Sequence, residues 1–475
     1  MGEAGGASAP VRVRASDSAG RPEARRRLAL FLLCLASFMA VVDNTIVTIA
    51  LPSMRRELGF LGADAQWVLN GYVLAFGGLL LLCGRTADLW GRRRLFLVGL
   101  ALFGVSSLVG GLAGAPWVLV FARVLQGVGA AAFVPASLSL LTSIFVGDER
   151  NRAVGLYGGM AALGFVVGMV GGGVITDLLG WRWVLFVNVP VALVALLITP
   201  SAVPESRGED VPRVLDVPGA ATVTLGLAAL IYAVTKVSEG GRASILVFGV
   251  AGVLLLACFV VAERRSDAPL VPLSVVVAGP VAFPNAAIFL QSMIGLSWLY
   301  VLTLYFQEVL GHGPLAAGLL FAPMTVSSVP AALVAGRLVT RFGVRPVATT
   351  GLVLVGVGVL LMTPMSGTDG LLFVLSGMVV GETGFMFSNV PLTIAATGGV
   401  DEGERGLASG LMNTSIQLGN AFGLAAVATV VAAVAASGGA GGGEDLVGGL
   451  RSGLLVCVGI VVLALPVVLF GLRKS

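Results

Sequence analysis

The stretch of sequence that decides the fold is QWVLNGYVLAFGGLLLLCGRTADLWGRRR, residues 66–94. It opens with an apolar run close to the roughly 20 residues that a helix needs to cross the hydrocarbon of a bilayer. It closes with a loop that holds four arginines. Because basic residues collect in the cytoplasmic loops of membrane proteins, the stretch predicts a transmembrane helix that ends on the cytoplasmic side.

The whole chain has the same character. Of its 475 residues, 57% are hydrophobic and 11% are charged, whereas soluble proteins carry about 25% charged residues. The mean hydropathy is +0.99. The apolar runs are continuous and lack the two-residue alternation of barrel strands, so the chain is predicted to be an all-α polytopic membrane protein.

Charged and Gly/Pro-rich breaks divide the chain into fourteen predicted transmembrane spans, joined by short connections that make neighbours antiparallel. The spans lie near residues 28–50, 66–84, 95–114, 116–145, 153–176, 183–200, 215–235, 243–262, 281–308, 315–336, 346–364, 371–397, 406–436 and 452–472. The polar residues 1–27 are predicted to be a retained, disordered cytoplasmic tail.

The basic residues orient these spans. With the N-terminus placed in the cytoplasm, most of the 29 lysines and arginines fall on the cytoplasmic side. This bias supports an even number of spans and places both termini in the cytoplasm. We therefore expect a multi-pass protein of the plasma membrane, and the loop bias explains the net charge of +4 without a nucleic-acid-binding surface.

The chain contains an internal repeat. The loop at residues 84–94 is matched by GRLVTRFGVRP at residues 336–346, with glycines and arginines at equivalent positions. Two copies of one helical unit are typical of transporters whose halves rock against each other. The predicted organisation is a six-helix bundle at 28–200, a linker with two extra transmembrane helices at 201–280, and a second six-helix bundle at 281–475.

The 84–94 loop resembles the signature loop of the major facilitator superfamily, and further motifs resemble its fourteen-helix drug:proton antiporter branch of multidrug efflux transporters. These motifs are VDNTIV at 42–47 with Leu51-Pro52, RVLQGVGA at 123–130, the glycines from 164 to 173, GWRW at 180–183 with Asn188-Val189-Pro190, YFQEVLG at 305–311 with Gly318, and GLASGLMN at 406–413 with Gln417-Leu418-Gly419. The resemblance covers about residues 28–472. It implies the major facilitator fold and proton-driven export of amphipathic drugs or antibiotics.

Asp43 is the first candidate proton-coupling residue. It lies about two-thirds along the first span, where a charged side chain is costly and an ionisable group points to function. Burial disfavours the charged form of a carboxyl group, so a carboxyl group here can take up and release a proton. The alternative is a solvated Asp near the outer end of the span. The resemblance agrees with coupling, because the family's first-span Asp is implicated in it.

Arg123 is the second candidate for proton coupling, and it is the only basic residue inside a predicted span. It shares a helical face with Gln126, Gly127 and Ala130, a face suited to a helix contact or to the wall of a cavity. Arginine stays protonated and needs a carboxylate or carbonyl partner, and Asp43 is one candidate. The resemblance links Arg123 to proton transfer, and the alternative is a structural charge held by carbonyl groups.

Glu382 lies in the middle of the twelfth span, in the segment GMVVGETG. It is predicted to neutralise a cationic substrate or to carry a second proton, and the alternative is a hydrogen bond to Thr383 or to a neighbouring helix. Uncharged polar residues in spans either line a cavity or join helices to one another. The predicted substrate-cavity residues are Asn44, Gln126, Gln291, Glu382, Asn389 and Asn413.

Gly164, Gly168 and Gly172 recur every four residues and form a ridge without side chains, which permits close helix packing. This ridge resembles the antiporter motif of exporters in the superfamily, although Met169 stands where that motif commonly has proline. The alternative is a generic contact between small residues.

The loop after the second span is predicted to contain a conformational latch. Gly84, Asp88, Gly91 and Arg92 resemble the family's latch, in which charge pairing holds one state of the transport cycle. The alternative is a plain basic turn. The second copy has Thr340 at the Asp position, so that half is expected to lack the full latch.

Residue content argues against several other functions. Neither of the two lysines, Lys236 and Lys474, follows a Gly-rich loop, so a Walker A site for ATP is absent. The single histidine, His312, excludes multi-His metal sites and His-based triads. We predict that the protein is not an enzyme and has no cofactor and no metal.

The sequence thus predicts a secondary active transporter for proton-coupled export of drugs, antibiotics or related amphipathic compounds. A proton-coupled importer of a small nutrient or metabolite is the alternative, and the glycine ridge is the main reason to prefer export. The expected partners are a small-molecule substrate, protons and the lipid bilayer, with no nucleic acid. The protein is expected to be a monomer.

Overall fold

The computed structural model describes residues 23–61, 64–145, 148–206, 217–236, 242–265, 279–366, 370–398, 405–437 and 443–472. The regular structure within these ranges is helical throughout. Residues 1–22 of the predicted tail, and the segments between the described ranges, lie outside it.

The described helices of the first half precede the predicted linker. They are α1 (Glu23–Leu58), α2 (Trp67–Trp90), α3 (Arg92–Gly111), α4 (Pro116–Ile144), α5 (Asp148–Leu178), α6 (Arg182–Phe186) and α7 (Asn188–Ala202), with a 3₁₀ turn at Asp64–Gln66.

The described helices of the linker and the second half follow. They are α8 (Val217–Thr235), α9 (Arg242–Arg265), α10 (Gly279–Leu304), α11 (Pro314–Leu320), α12 (Ala322–Phe342), α13 (Val344–Met362), α14 (Leu371–Gly398), α15 (Arg405–Ser437) and α16 (Gly443–Gly471), with a π-helical segment at Tyr305–Val309.

Proline and glycine mark several helix ends. Pro116 begins α4 and Pro314 begins α11. Proline has no backbone N–H, and it is tolerated in the first turn because the N–H groups there have no acceptor within the helix. Gly91 separates α2 from α3 with a φ of 117°, and Gly343 separates α12 from α13 with a φ of 83°. Such backbone conformations favour glycine. The two glycines are equivalent in the repeated loop motif, so the repeat extends to backbone conformation.

Each half packs its helices in pairs. In the first half, α1 packs along α5, and both α2 and α3 pack along α4, while α7 covers α3 and α1. In the second half, α10 packs along α15, and both α12 and α13 pack along α14, while α16 contacts α10, α13 and α15. The matching pattern supports two bundles of the same design.

The two helices of the predicted linker, α8 and α9, pack against each other, and α8 also packs against α2 and α15. A Cβ added at Gly78 of α2 would lie 2.5 Å from Thr224 Oγ1 of α8. On the other side, Thr429 Oγ1 of α15 donates to the backbone oxygen of Val234 at 3.3 Å. Helix α8 therefore contacts both bundles.

Twelve helices or helix pairs in the described ranges are long and apolar enough to cross a bilayer. The twelve do not include α2, which has 24 residues, or α8, which has 19 residues. Both correspond to predicted spans. The fold is thus all-helical with twelve candidate membrane spans, and the count of fourteen stays a prediction.

Helix α1 begins earlier than predicted, inside the segment assigned to the tail. Its first residue is Glu23, which pairs with Arg27. Arg26 donates to the Glu149 carboxylate of α5 at 2.5 Å. Opposite charges four residues apart stabilise a helix, so charged residues that were attributed to a disordered tail form the first turn of α1.

Candidate functional site

Asp43 and Arg123 form a buried ion pair. Arg123 Nη1 of α4 lies 2.5 Å from Asp43 Oδ2 of α1, and neither side chain is exposed. The structure therefore brings the two predicted coupling residues together. A solvated Asp near the outer end of the span, the alternative for Asp43, does not fit this burial.

Three side chains donate to the Asp43 carboxylate. Besides Arg123, Asn188 Nδ2 donates to Oδ1 at 2.7 Å, and Gln126 Nε2 donates to Oδ1 at 3.2 Å. The same Gln126 nitrogen donates to Ser107 Oγ at 2.7 Å, and Gln126 Oε1 accepts from Arg123 Nη1 at 2.9 Å. Hydrogen bonds to a carboxylate favour its charged form. We name these five residues the coupling cluster.

Helix α2 holds Arg123 from a second side. Arg123 Nε donates to the backbone oxygen of Val68 at 2.9 Å, and its guanidinium carbon lies 4.4 Å from the centre of the Tyr72 ring. A carboxylate, an amide, a carbonyl and an aromatic face thus hold one buried cation. Both kinds of partner that the sequence allowed for Arg123, a carboxylate and a carbonyl, are present.

Ser107 and Asn188 are not among the site residues predicted from the sequence, and Gln126 is predicted to line the substrate cavity. In this conformation Gln126 is fully buried, and both ends of its amide are bonded within the coupling cluster. For Asn188 a signal existed, because it is an amide in an apolar span just before Val189-Pro190. For Ser107 no signal existed, since serine is common in membrane helices.

The glycine ridge of α5 packs on α1 around Asp43. A Cβ added at Gly164, Gly168 or Gly172 would come within 2.9 Å of an atom of α1. For Gly168 the nearest atom is Thr45 Cβ, at 2.8 Å. The close helix packing that the ridge predicts is therefore present beside the coupling cluster.

The same part of α5 also contacts the second half. A Cβ added at Gly173 would lie 3.0 Å from Leu315 Cα of α11. On the facing helix, a Cβ added at Gly318 would lie 2.7 Å from the backbone oxygen of Met169. Helices α5 and α11 thus meet backbone to backbone, which small residues alone permit.

Two polar contacts join the halves where α1 and α10 end, and we name them the gate contacts. Gln307 Nε2 donates to the backbone oxygen of Ile49 at 2.8 Å, and Arg56 Nη1 lies 3.5 Å from Glu308 Oε1. Gln307 and Glu308 belong to the π-helical segment after α10. Such segments are rare and occur often at functional sites.

The beginning of α5 is packed differently from its end. Among the residues that the structure describes, no atom lies within 4 Å of a Cβ added at Gly155, Gly158 or Gly159. Helix α5 thus packs closely on α1 at Gly164, Gly168 and Gly172, whereas three glycines nearer its beginning face open space within the described structure; we name that stretch the open part of α5.

Glu382 lies in a second group of polar and aromatic residues, on α14. Its side chain is 5% exposed. The adjacent Thr383 hydroxyl donates to the backbone oxygen of Val379 at 2.8 Å, so it does not donate to Glu382 as one alternative proposed. One turn further along, the ring of Phe385 is stacked with that of Trp298 of α10, with 6.3 Å between their centroids.

Gln291 connects α10 to the same part of α14. Its Nε2 donates to the backbone oxygen of Phe385 and to Ser388 Oγ, each at 2.9 Å. Its Oε1 is buried and has no hydrogen-bond partner among the described residues. Gln291 therefore joins α10 to α14 and keeps an acceptor without a hydrogen-bond partner among the described residues.

The remaining predicted cavity residues are more exposed. Asn44, next to Asp43 on α1, and Asn389, next to Ser388 on α14, are half-buried, while Asn413 on α15 is exposed. Asn44 Oδ1 has no hydrogen-bond partner within the described ranges. Of the predicted coupling and cavity residues, Asp43, Arg123 and Gln126 thus lie in the coupling cluster, with Asn44 beside it. The others lie in the second half: Gln291 on α10, Glu382 and Asn389 on α14, and Asn413 on α15.

The predicted latch lies where α2 meets α3. The Asp88 side chain lies outside the described part of the structure, so its pairing with Arg92 stays a prediction. A Cβ added at Gly84 would meet no described atom within 4 Å. A Cβ added at Gly91 would lie 2.7 Å from Glu205 Oε1, so glycine at this position leaves room for a carboxylate.

Glu205 follows α7 and caps the N-terminus of α3. Its Oε1 accepts from the Arg93 backbone N–H at 3.0 Å. In return, Arg93 Nη1 donates to the backbone oxygens of Pro200 and Val203, at 3.3 and 3.2 Å, near the end of α7. A carboxylate at a helix N-terminus and a cation at a C-terminus are each stabilising, so each helix end here is capped by a charge.

A sequence profile described as the Major Facilitator Superfamily matches residues 33–424. The match covers the coupling cluster and extends from α1 into α15. The chain belongs to the Major Facilitator Superfamily.

Relatives within this family include named antibiotic resistance and export proteins. The puromycin resistance protein of Streptomyces alboniger is 39% identical over 86% of this chain and 82% of the relative. A cephamycin export protein of Amycolatopsis lactamdurans is 40% identical over 88% of each chain. The lincomycin resistance protein of Streptomyces lincolnensis is 36% identical over 89% of this chain and 88% of the relative. These relatives place the chain in the drug-efflux branch.

Solved structures agree on the fold. A bacterial homologue of the human lysosomal transporter Spinster, inward-facing and unoccupied, has a TM-score of 0.67 at 16% identity and covers 95% of this chain and 98% of its own. A point mutant of the nucleoside transporter NupG has a TM-score of 0.65 at 14% identity and covers 94% of this chain and all of its own.

Proposed function

We propose that the protein is a secondary active transporter that exports antibiotics or related amphipathic compounds across the plasma membrane in exchange for protons. Relatives that are 36–40% identical to this chain over the aligned residues are named for resistance to puromycin and lincomycin and for cephamycin export. Their names favour export over the import of a nutrient, which was the alternative from the sequence.

The observation that carries proton coupling is the buried Asp43–Arg123 pair. Of its two members only Asp43 can change protonation, because arginine keeps its proton in proteins. When Asp43 takes up a proton, the pair loses its attraction and Arg123 becomes an uncompensated cation in an apolar interior. Breaking a buried pair in this way costs about 3–5 kcal/mol, enough to drive a change in helix packing.

Helix α1 connects this event to the contacts between the halves. It holds Asp43, and it also provides the Ile49 carbonyl that accepts from Gln307. A shift of α1 therefore acts directly on the gate contacts. In the proposed orientation, these contacts lie on the external side and the open part of α5 lies on the cytoplasmic side, which supports a state open to the cytoplasm.

The proposed cycle follows from this arrangement. Substrate enters between the halves from the cytoplasm, the gate contacts separate, and a proton from outside protonates Asp43 and, as a second site, Glu382. Protonation weakens substrate binding, substrate leaves outward, and the proton leaves inward. Glu382 is 5% exposed and lies near the stacked rings of Trp298 and Phe385, a combination that suits a cationic amphipathic substrate.

The finer architecture is part of the same proposal. Helices α2 and α8 cross the bilayer with the twelve candidate spans, which gives fourteen spans and places both termini in the cytoplasm. The bundles are 28–200 and 281–475, with the two extra helices in 201–280. The protein acts as a monomer in the lipid bilayer, with a small molecule and protons as partners and no nucleic acid or cofactor.

Transport in proteoliposomes tests this function. Wild-type protein with an imposed pH gradient is expected to move puromycin or lincomycin against the proton flux. Asp43→Asn is expected to abolish gradient-driven movement while the protein still folds, because the asparagine amide cannot take up a proton. The matched control is Asp64→Asn, which makes the same chemical change before α2.

Full gradient-driven efflux in Asp43→Asn would remove Asp43 from the mechanism. Accumulation of the compound on the cytoplasmic side under the same gradient would favour the importer. The direction of transport is assigned by measuring the orientation of the protein in the vesicles, from the fraction of N-terminal tails that a protease added outside can cut.

A further inference from the structure

Asn188 stands at an interruption of the sixth span. Helix α6 ends at Phe186 and α7 begins at Asn188. Pro190, two residues later, has no N–H and cannot donate to the carbonyl four residues before it. The side chain of Asn188, which is 2% exposed, lies against Asp43 of α1.

We propose that Asn188 is a positioning residue for proton coupling, whose amide sets how readily Asp43 takes up and releases its proton. The proposal rests on the proposed function and names one more residue of the same site. In this proposal Asn188 does not contact the substrate and acts only through Asp43.

The geometry gives Asn188 the larger share of the interaction at Oδ1. Its Nδ2 donates to that oxygen at 2.7 Å, whereas Gln126 Nε2 donates to it at 3.2 Å and also donates to Ser107 at 2.7 Å. Arg123 occupies the other oxygen, Oδ2. The neutral Asn188 amide therefore makes a short hydrogen bond to Oδ1, the oxygen of Asp43 that Arg123 does not contact.

An amide donor favours the ionised carboxylate without adding charge. The charged or titratable groups that the described structure places around Asp43 are Arg123 from α4 and, behind it, Tyr72 from α2. Helix α5 presents the side-chain-free Gly168 here, and α7 presents Asn188. Replacing Asn188 by an apolar residue of similar size thus removes one donor and leaves every neighbouring charge in place.

The competing interpretation is that Asn188 only joins α7 to α1. Asn285 of α10 provides a matched control, because it is 6% exposed, accepts from Ser415 Oγ on α15 at 3.2 Å, and contacts no carboxylate among its described bonds. Loss of an amide that only joins helices is expected to lower stability at either position without changing the protonation of Asp43.

Infrared titration of the full-length protein in lipid provides the test, and it needs no substrate. The C=O stretch of the protonated Asp43 carboxyl group is assigned by its loss in Asp43→Asn and followed against pH. In Asn188→Leu the midpoint is expected to rise by about one to two pH units, a ten- to hundredfold gain in proton affinity, because one hydrogen bond to the charged form is lost.

The midpoint in Asn285→Leu is expected to match that of the wild type, and in Asn188→Gln, which keeps an amide donor, it is expected to lie between those of the wild type and Asn188→Leu. An unchanged midpoint in folded Asn188→Leu, or an equal rise in Asn285→Leu, would overturn the proposal. If wild-type Asp43 shows no protonation at any pH at which the protein is folded, the proton site of the proposed function fails instead.

Discussion

Replacement of Arg123 by methionine leaves the Asp43 carboxylate buried without its cation. Neither side chain of the pair is exposed, so water cannot replace the lost partner. Removing one member of a buried ion pair costs about 3–5 kcal/mol. The Asp43 carboxylate can avoid this cost by taking up a proton, whereas the reverse variant, Asp43→Asn, leaves an arginine that cannot lose one.

The stability cost of Arg123→Met should therefore depend on pH. An ordinary Asp titrates near pH 3.9, and each pH unit is worth about 1.4 kcal/mol. Holding Asp43 neutral in the folded state at pH 7.5 costs about 5 kcal/mol on this basis, and at pH 5.5 about 2 kcal/mol. The folded variant binds a proton that the unfolded chain does not, so its stability falls as pH rises.

Thermal unfolding of purified protein in detergent at pH 5.5, 6.5 and 7.5 measures this cost relative to wild type. Arg123→Met is expected to be less stable than wild type by about 2 kcal/mol at pH 5.5 and by about 5 kcal/mol at pH 7.5. Asp43→Asn is expected to lose the same amount of stability at all three pH values, because neither the new asparagine nor Arg123 then changes protonation in this range. Arg264→Met, at an exposed arginine of α9, is the control for removing a charge.

An equal deficit for Arg123→Met at all three pH values would refute the reasoning. It would mean that Asp43 stays ionised without Arg123, held by Asn188 and Gln126 alone. The pair would then be a structural element, and its protonation could not drive transport.

The two remaining predictions concern glycines. Gly168→Val places a branched side chain where a Cβ alone would lie 2.8 Å from Thr45 Cβ. The overpacking costs about 1–3 kcal/mol and should force α1 away from α5, which is expected to reduce efflux from proteoliposomes roughly tenfold or more. Gly155→Val, whose side chain meets open space, should keep wild-type efflux. Gly91→Ala should lower the stability measured by thermal unfolding by about 1–3 kcal/mol, because a φ of 117° strains any residue with a side chain and the new Cβ displaces Glu205. Gly84→Ala should unfold like the wild type. An equal loss of stability in both variants would contradict the need for glycine at position 91.

The helices were predictable because lipid leaves the backbone few choices. In hydrocarbon each N–H and C=O needs a partner within its own segment, so a continuous apolar run must form a helix. The repeated loop could be located for a related reason, since the turn at Gly91 and Gly343 needs a backbone conformation that glycine adopts easily. Such local rules are visible in one sequence.

The sequence offered Asp43 as one candidate partner for Arg123 but did not single it out. Few ionisable residues lie inside the spans, and a buried arginine needs an acceptor. The remaining partners of Arg123 could not be reached in this way, because the Val68 carbonyl and the Tyr72 ring differ from their neighbours only in their position in the folded bundle. Gln126 was predicted to line the cavity for the same reason. The sequence shows which face of its helix Gln126 lies on, but it does not show which residues pack against that face.

Glu205 shows a different limit. It lies after the sixth span in a polar stretch, where a carboxylate is expected to be solvated. The structure brings it to the N-terminus of α3, more than 100 residues earlier in the chain, where it accepts from Arg93 N–H. Predicting such a contact requires knowing that the end of α7 lies beside the beginning of α3, which depends on the packing of both helices.

The three features that the proposed function needs are all carried by one short part of α1. Asp43 belongs to the coupling cluster, Thr45 packs against the ridge of α5, and the Ile49 carbonyl accepts from Gln307 of the second half. At 1.5 Å per residue, the span from Asp43 to Ile49 is about 9 Å, less than two turns. Coupling between the proton and the gate contacts therefore needs no long pathway, because a rigid helix of that length cannot move at Asp43 without moving at Ile49.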